Sequence, residues 1–342
     1  MNSQIASGSA PKPVMADVAK LAGVSYQTVS RVINGSSSIR PATKARVQQA
    51  IEELGYRPNT AARALVTRRS GIIGIIGTSS ALYGPSSVER SVQEAARTAG
   101  YFTSFVPLAE VAPESMRDAL GHLSRQSVEA IVMIAAQEDA VDAAHSADAG
   151  VPLIVVEGDL SGSGLSVGVD QIEGARHATA HLIELGHRAI DHVAGPTSWT
   201  EAKGRVTGYE AAMRAAGLTP AEPWSGDWTP ASGYAAGRAL ARRGAATAVF
   251  VANDQMAIGV LHALTEAGLS VPRDISVVGF DDIPEAAYLN PALTTVRQDF
   301  HAIGQRAIEL VTATLEGTDT TMPLLSPELV IRDSTAACKE TQ

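Results

Sequence analysis

The chain has 342 residues, of which 45% are hydrophobic and 18% are charged. This length suffices for two or three domains with large cores. The only cysteine, Cys338, excludes an intrachain disulfide framework, and the sequence shows neither a signal peptide nor an apolar run long enough to cross a membrane. We therefore expect a cytoplasmic protein with no membrane partner.

Charge is distributed unevenly along the chain. Residues 1–69 contain ten lysines and arginines against three acidic residues, a net charge of +7. The rest of the chain contains 17 basic and 33 acidic residues, a net charge of −16, which gives −9 overall. A compact basic segment on an acidic body is typical of a nucleic-acid-binding head. The alternative is a solvated excess of charge without a partner.

Residues 13–58 are predicted to form a three-helix head. The first helix ends at Gly23, the second has Ser25 as its N-cap, and the third has Pro41 in its first turn and ends at Gly55. Helical spacing assigns a set of apolar residues to the core: Val18, Ala19, Leu21, Ala22, Val24, Val29, Val32, Ile33, Ala45, Val47, Ile51 and Leu54.

Two short helices joined by a glycine turn and closed by a third indicate a helix-turn-helix, whose second helix enters the DNA major groove. Gln27 can bond adenine, Arg31 can bond guanine, and Tyr26 can contact a base edge. The residues placed for phosphate contacts are Ser25, Thr28, Ser30, Asn34, Thr43 and Lys44. The alternative is a plain three-helix bundle with a polar surface.

The segments "DVAKLAGVSYQTVSRVING" and "RPATKARVQQAIEELGYRPNTAARAL" resemble the head and hinge of the lactose/galactose repressor (LacI/GalR) family. The resemblance implies that Tyr26, Gln27 and Arg31 read bases. It also implies that residues 59–69 form a hinge helix on operator DNA, contacting it through Asn59, Ala62 and Leu65, with Leu65 wedged into the minor groove. A short alanine-rich segment is marginal as an isolated helix, so a flexible tether off DNA remains the alternative.

From residue 70 to residue 335, short β-branched runs alternate with helical stretches. The strands are "GIIGIIG", "YFTSFVPL", "VEAIVMIA", "PLIVVEG", "AIDHVAG", "TAVFVAND" and "ISVVGFDD"; helices lie between them, including ones near 138–150, 171–186, 201–217, 231–243 and 254–268. This alternation predicts parallel sheets, and the length predicts two α/β lobes. Residues 336–342 are assigned to a tail.

Polar residues follow several of these strands, where parallel sheets bind ligands. They are Ser79, Ser80, Glu157, Asn253, Asp254, Asp281 and Asp282. Arg205 adds a planar set of donors, while Trp228 and Phe300 offer apolar faces for a sugar ring. The pattern predicts a site for a hydroxyl-rich ligand.

The body also resembles the effector domain of the LacI/GalR family, which is related to periplasmic sugar-binding proteins. The segments "TSSALYGPSSVERSVQEAARTAGY", "VANDQMAIGVLHALTEAGL" and "DISVVGFDDIPEAAYLNPALTTVRQDFHAIGQ" carry this resemblance. It implies an effector site formed by Ser79, Glu157, Arg205, Trp228, Asn253, Asp281, Gln298 and Phe300. Glu157 and Glu201 depart from the lactose branch of the family, which has a shorter aspartate and a small serine at these positions.

The resemblance implies an α/β fold, with a helix-turn-helix head and hinge helix joined to a two-lobed, periplasmic-binding-protein-like effector domain. The expected function is repression of transcription by a homodimer that binds a pseudo-palindromic operator. A sugar or galactoside-like inducer would control its DNA affinity. The alternatives are a purine-like corepressor and a sugar-binding protein without a DNA function.

Enzyme and metal functions find little support in the sequence. His177 and His181 have the spacing of a helical zinc pair but lack the glutamate and further ligand that such a site needs. Asp281 and Asp282 are adjacent, so their side chains should point apart and cannot form a glycosidase pair. We expect no catalytic activity, cofactor or metal.

Overall fold

A computed structural model describes residues 13–33, 38–57, 69–78, 82–108, 112–134, 137, 140, 143, 149–157, 165–318 and 320–339. The chain divides into two compact units, residues 1–70 and 71–342. Asn34, Ser79 and the hinge residues Asn59, Ala62 and Leu65 lie outside the described residues, as does most of the helix predicted near 138–150.

The first unit contains three helices, α1 (Met15–Ala22), α2 (Tyr26–Ile33) and α3 (Pro41–Leu54). Gly23 ends α1 in the left-handed conformation, with φ of 60°. The hydroxyl of Ser25 accepts the backbone N–H of Thr28 at 3.2 Å, and Pro41 begins α3. The predicted turn, cap and helix start are confirmed.

The core of the head is small and formed mainly by valines. Val18, Val29 and Val47, one from each helix, are completely buried. Two core predictions were wrong: Leu21 is 46% exposed, and Ala45 is also exposed. The buried stripes consist of Val18, Ala19 and Ala22 on α1 and of Val47, Ala50, Ile51 and Leu54 on α3. At about 100° per residue, Leu21 and Ala45 fall away from these stripes.

The second unit begins with a lobe built on a parallel sheet. Its strands are β1 (Ile72–Thr78), β2 (Phe102–Leu108), β3 (Ala130–Ile134), β4 (Leu153–Val156) and β5 (Ser166–Val167), in the order β2-β1-β3-β4-β5. Helices α4 (Tyr83–Thr98) and α5 (Pro113–Arg125) connect the first three strands. Isoleucine and valine side chains on both faces of this sheet are buried, as parallel sheets require.

A second lobe follows with the sheet order β11-β10-β9-β8-β6-β7. Its strands are β6 (Ile190–Ala194), β7 (Trp224–Ser225), β8 (Ala248–Val251), β9 (Ser276–Asp281), β10 (Thr294–Arg297) and β11 (Glu328–Val330), of which β11 alone is antiparallel. Its helices are α6 (Gln171–Glu184), α7 (Thr200–Ala215), α8 (Pro230–Arg243) and α9 (Asp254–Glu266), and a 3-10 turn spans Pro284–Tyr288.

The last helix, α10 (Phe300–Leu315), is an addition to the predicted elements, as are the short strands β5, β7, β10 and β11. It follows β10 of the second lobe but packs into the core of the first, where Ile303 and Val311 are completely buried. The chain therefore passes between the lobes after β5, after β10 and before β11.

The predicted tail is attached to the second lobe as far as it is described. The backbone N–H of Cys338 donates to the carbonyl of Leu185 at 2.7 Å, and the ring of the buried His187 contacts the carbonyl of Ala336 at 3.1 Å. Residues 336–339 consequently extend this lobe.

Candidate DNA-binding surface and effector cleft

Helix α2 presents a polar face away from the core of the head. Tyr26 is 58% exposed, and Gln27 and Arg31, one turn apart, are also exposed. Thr28 and Ser30 are half-buried beside them, and the Thr28 hydroxyl lies 2.9 Å from that of Ser25. On α3, Lys44 is exposed and Thr43 half-buried. The predicted base readers thus share one accessible surface, and their contact with DNA stays a prediction.

In the second unit, a cleft between the two lobes encloses about 580 Å³ of space, part of it open to solvent. Seven residues of the predicted effector site line it: Glu157, Arg205, Trp228, Asn253, Asp281, Gln298 and Phe300. Sequence reasoning did not assign several other lining residues to the site: Leu82, Gly84, Pro85, Ile134, Trp199 and Gln255. Glu201, noted only as a departure from the lactose branch, lines it as well.

Arg205 is the fixed cation of this cleft. It is 4% exposed, and its guanidinium lies 3.5 Å from the Asp281 carboxylate. The same group donates to the side-chain carbonyl of Gln171 at 2.9 Å and to the backbone carbonyl of Ala252, and it stacks 3.9 Å from the centre of the Phe280 ring. These contacts hold the guanidinium and its charge in place.

A chain of amides connects the two sides of the cleft. The Gln298 side-chain NH2 donates to Asp281 at 2.7 Å. The Gln171 side-chain NH2 lies 2.8 Å from the side-chain oxygen of Gln298 and 3.2 Å from the carboxyl of Glu157. Gln171 was missed because it begins α6, where nothing in the local pattern distinguishes it from an exposed glutamine. It connects Glu157, after β4 of the first lobe, to the second lobe.

Burial disfavours the ionised form of the carboxyls in the cleft. It raises the pKa of Glu157 to about 7 and that of Asp281 to about 6, against the opposing attraction of Arg205. Burial and the nearby Glu157 raise the pKa of Glu201 well above its usual value. The buried carboxyls therefore outnumber the cation, and they hold protons in a pH range where exposed carboxyls do not.

Trp228 and Asn253 form a second, mainly aromatic, side of the cleft. Asn253 caps α9 by accepting the Met256 N–H at 2.9 Å, and its NH2 group donates to the Trp228 carbonyl at 3.1 Å. Trp199 and Trp228 meet edge to face, with ring centres 5.5 Å apart. Asn253 thus links the start of α9 to the backbone of Trp228.

Backbone strain is concentrated at this cleft. Glu157, Trp228 and Asp281 have φ values of 62°, 73° and 107°, in the left-handed region that favours glycine. Such conformations cost about 1–3 kcal/mol each and persist where surrounding contacts hold them, most often at functional sites.

Two polar residues predicted at strand ends have other roles. Asp254 is completely buried and accepts hydrogen bonds from Thr295 at 2.6 Å and from the Ile283 backbone at 2.9 Å. Asp282 forms ion pairs with Arg297 at 2.7 Å and Arg332 at 2.6 Å. Asp281 and Asp282 therefore have separate partners.

The histidine pair also has local partners. His177 lies 2.9 Å from Glu173, and His181 lies 3.0 Å from the Thr335 hydroxyl. Within the described ranges, no group of three or more histidine, cysteine, aspartate or glutamate residues is arranged to hold a metal ion. No described helix is long and apolar enough to span a membrane.

The two units match two family models. Residues 14–59 match the model for bacterial regulatory proteins of the lacI family. Residues 179–335 match the model for a periplasmic binding protein-like domain.

Similarity to characterised proteins extends over most of the chain. The lactose operon repressor of Escherichia coli K12 is 33% identical over 335 residues, covering 97% of this chain and 93% of that protein. The transcriptional repressor PurR of Haemophilus influenzae Rd is 34% identical over 328 residues, covering 93% and 97%.

Solved structures extend the similarity to three dimensions. The lac repressor dimer bound to operator and the anti-inducer ONPF matches with a TM-score of 0.83 at 33% identity, covering 96% of this chain and all of that one. The complex of the transcriptional regulator CelR with cellobiose matches with a TM-score of 0.70 at 33% identity, covering 94% and 99%. The chain therefore belongs to the lacI family of bacterial regulatory proteins and is a DNA-binding transcriptional repressor under allosteric control by a small molecule.

Proposed function

We propose that the protein represses transcription as a homodimer, and that a carbohydrate bound in the cleft releases it from its operator. Each head, residues 13–58, reads one half-site of a pseudo-palindromic operator. Tyr26, Gln27 and Arg31 contact bases, while Ser25, Thr28, Ser30, Asn34, Thr43 and Lys44 contact phosphates. The hinge, residues 59–69, reaches the minor groove through Asn59, Ala62 and Leu65.

The observation that carries the carbohydrate assignment is the composition of the cleft. Aromatic rings at Trp199, Trp228 and Phe300 offer apolar faces to a sugar ring. Arg205 and Asp281 offer a cation and an acceptor for hydroxyl groups, at fixed positions on the second lobe. Few oriented polar groups among apolar walls are what a sugar needs, since its ring has both kinds of surface.

The solved relatives support this assignment. One is a lac repressor dimer on operator DNA, and another is a regulator holding cellobiose. The PurR relatives are of similar identity, so a purine-like corepressor is the second candidate. Two observations disfavour a phosphorylated purine: the cleft is rich in carboxyls, and Arg205 is already paired with Asp281.

Control of the head follows from the two-lobed architecture. A ligand that bridges Glu157 of the first lobe and Arg205 of the second stabilises one relative position of the lobes. The first lobe is the one whose β1 begins just after the hinge, so its movement alters how the two hinges of a dimer pair. Coupling between such sites is typically about 1–3 kcal/mol, a change of roughly 5- to 150-fold in operator affinity.

A thermal-shift screen of the full chain against neutral sugars, amino sugars, purine bases and nucleosides tests the effector class. We expect sugars to raise the melting temperature of wild type, because a ligand bound only by the folded state stabilises it. Arg205→Ala should lose this response while Lys203→Ala, on the exposed side of α7, keeps it. If purines alone raised the melting temperature, the effector would be a purine-like corepressor and not a sugar.

A further inference from the structure

The cleft contains more carboxyl groups than cations, an excess that binding of a neutral sugar does not require. Glu157, Glu201 and Asp281 face it, while Arg205 is the only cation among its described lining residues. Arg205 is committed to Asp281, Gln171 and the Ala252 carbonyl. Both glutamates are therefore left without a cation of their own.

One of these glutamates, Glu157, also has an incomplete set of hydrogen bonds. Oε1 of Glu157 is buried and has no partner among the described residues, and neither does the indole N–H of Trp228. Glu201 is 8% exposed, and its Oε2 lies 3.2 Å from the Thr200 hydroxyl. That hydroxyl also lies 3.3 Å from the Glu157 carbonyl. Buried polar atoms without partners in a lined cleft point to groups supplied by a ligand.

We propose that the cleft selects a sugar carrying a protonated amino group, which the carboxyls of Glu157 and Glu201 bind. An ammonium group offers three N–H donors and a positive charge at one atom, whereas a hydroxyl offers one hydrogen and no charge. An ammonium group therefore supplies both the N–H donors that these carboxyl oxygens lack and a positive charge that balances their negative charge. The proposal rests on the carbohydrate function above and narrows it to amino sugars.

Other cations and anions fit less well. A metal ion would need three suitable ligands, and no such group exists in the described part of the chain. A sugar phosphate would add negative charge to a site where carboxyls already outnumber the cation. The rings of Trp199 and Trp228, in contrast, add a surface that attracts ammonium groups.

The protonation of the empty cleft agrees with this arrangement. Glu157 faces Arg205, Asp281, Gln171 and the Val169 N–H, and Glu201 faces Glu157, Arg205 and Thr200. Burial raises the pKa of both glutamates, so the empty cleft retains protons near neutral pH. An ammonium group favours the ionised carboxyls, so its binding should release protons and strengthen as pH rises towards 7.

Isothermal titration calorimetry on the full chain tests the proposal with two matched sets of sugars. One set is glucose, glucosamine and N-acetylglucosamine; the other is the three β-1,4-linked disaccharides of these units. Within a set the molecules differ only in carrying hydroxyl, ammonium or acetamide groups. For wild type at pH 7, we expect the ammonium form of one set to bind at least about tenfold more tightly than both neutral forms. Its binding enthalpy should change with the ionisation enthalpy of the buffer.

Three variants locate the preference. Glu157→Gln and Glu201→Gln keep size and remove charge, and each should reduce the preference to about threefold or less. Glu210→Gln, which also lies on α7 but pairs with Arg214 at 2.8 Å, should keep it. Equal or weaker binding of the ammonium forms by wild type would overturn the inference and leave the carbohydrate function standing. So would a preference that both Glu157→Gln and Glu201→Gln retain in full. Binding by none of the six sugars, together with a response to purines, would overturn both.

Discussion

The two units of this protein differ in charge and in the exposure of the residues predicted to bind their ligands. The head is basic, and its predicted reading residues are exposed on one short helix: Tyr26 is 58% exposed. The cleft lies in an acidic unit, and its polar residues are buried: Arg205 and Asp281 are 4% and 6% exposed. They come from separate elements and are joined by an ion pair at 3.5 Å, and hydrogen bonds connect them to Gln171 and Gln298. Substitutions of the exposed reading residues should therefore change DNA affinity with little effect on folding, whereas substitutions of the buried cleft residues should change both ligand affinity and folding.

The largest effect is expected from Arg205→Ala. Removing one partner of a buried ion pair costs about 3–5 kcal/mol, since the remaining charge is left buried and uncompensated. Denaturant unfolding of the second unit at pH 7 measures the loss, which should shrink at lower pH because Asp281, Glu157 and Glu201 take up protons.

The matched control is Arg176→Ala. Arg176 pairs with Glu173 at 2.5 Å, but its side chain is 47% exposed, so the substitution should cost less than about 1 kcal/mol. Equal losses for the two variants would contradict the view that the cleft residues serve folding as well as binding.

In the head, Gln27→Ala and Arg31→Ala should each weaken operator binding by about 1–3 kcal/mol, the usual contribution of a base-reading side chain. Fluorescence anisotropy with an operator selected from random duplexes measures this, and thermal unfolding should be unchanged. Gln49→Ala, at an exposed glutamine of α3, is the control. If either variant lost stability along with affinity, the exposed face of α2 would be part of the core.

The pH dependence of stability should distinguish the cleft from the head. Burial raises the pKa of Glu157 from 4.5 to about 7, so between these values the folded protein holds a proton that the unfolded chain has released. Stability therefore falls as pH rises through this window, by about 3 kcal/mol in total, since each pKa unit corresponds to roughly 1.4 kcal/mol. In urea unfolding, the stability of Glu157→Gln should depend less steeply on pH between pH 5 and pH 8 than that of wild type. An equally steep dependence would show that Glu157 does not cause it.

The smallest effect concerns the head core. Leu21→Gln should change the free energy of unfolding by no more than about 0.5 kcal/mol, because the side chain is 46% exposed. Val18→Ala, on the same helix but completely buried, should cost about 1–3 kcal/mol. A comparable loss of stability in Leu21→Gln and Val18→Ala would show that Leu21 belongs to the core.

Local signals explain what the sequence could predict. Gly23, Ser25 and Pro41 act within one turn of the chain, so the helix boundaries of the head follow from them. Seven strands of the two lobes were predicted because their buried β-branched runs are short and regular, whereas the short strands β5, β7 and β11 lack such runs and were missed, as was β10. Leu21 was misplaced because eight residues define a helical stripe only loosely.

Long-range structure explains what was missed. Gln171 joins the cleft network through Gln298, which is 127 residues away in the chain. Trp199 meets Trp228 only because two loops of the second lobe converge. Helix α10 packs on the first lobe although it follows strands of the second. No local pattern encodes such contacts.

The central claim is that occupancy of the buried cleft controls the exposed head. Operator affinity of the full chain, measured with and without the sugar that stabilises it most in the thermal-shift screen, tests this directly. We predict that saturating sugar weakens operator binding by about 5- to 150-fold in wild type and leaves operator binding by Arg205→Ala unaffected. An operator affinity that stays the same when the cleft is saturated would contradict it.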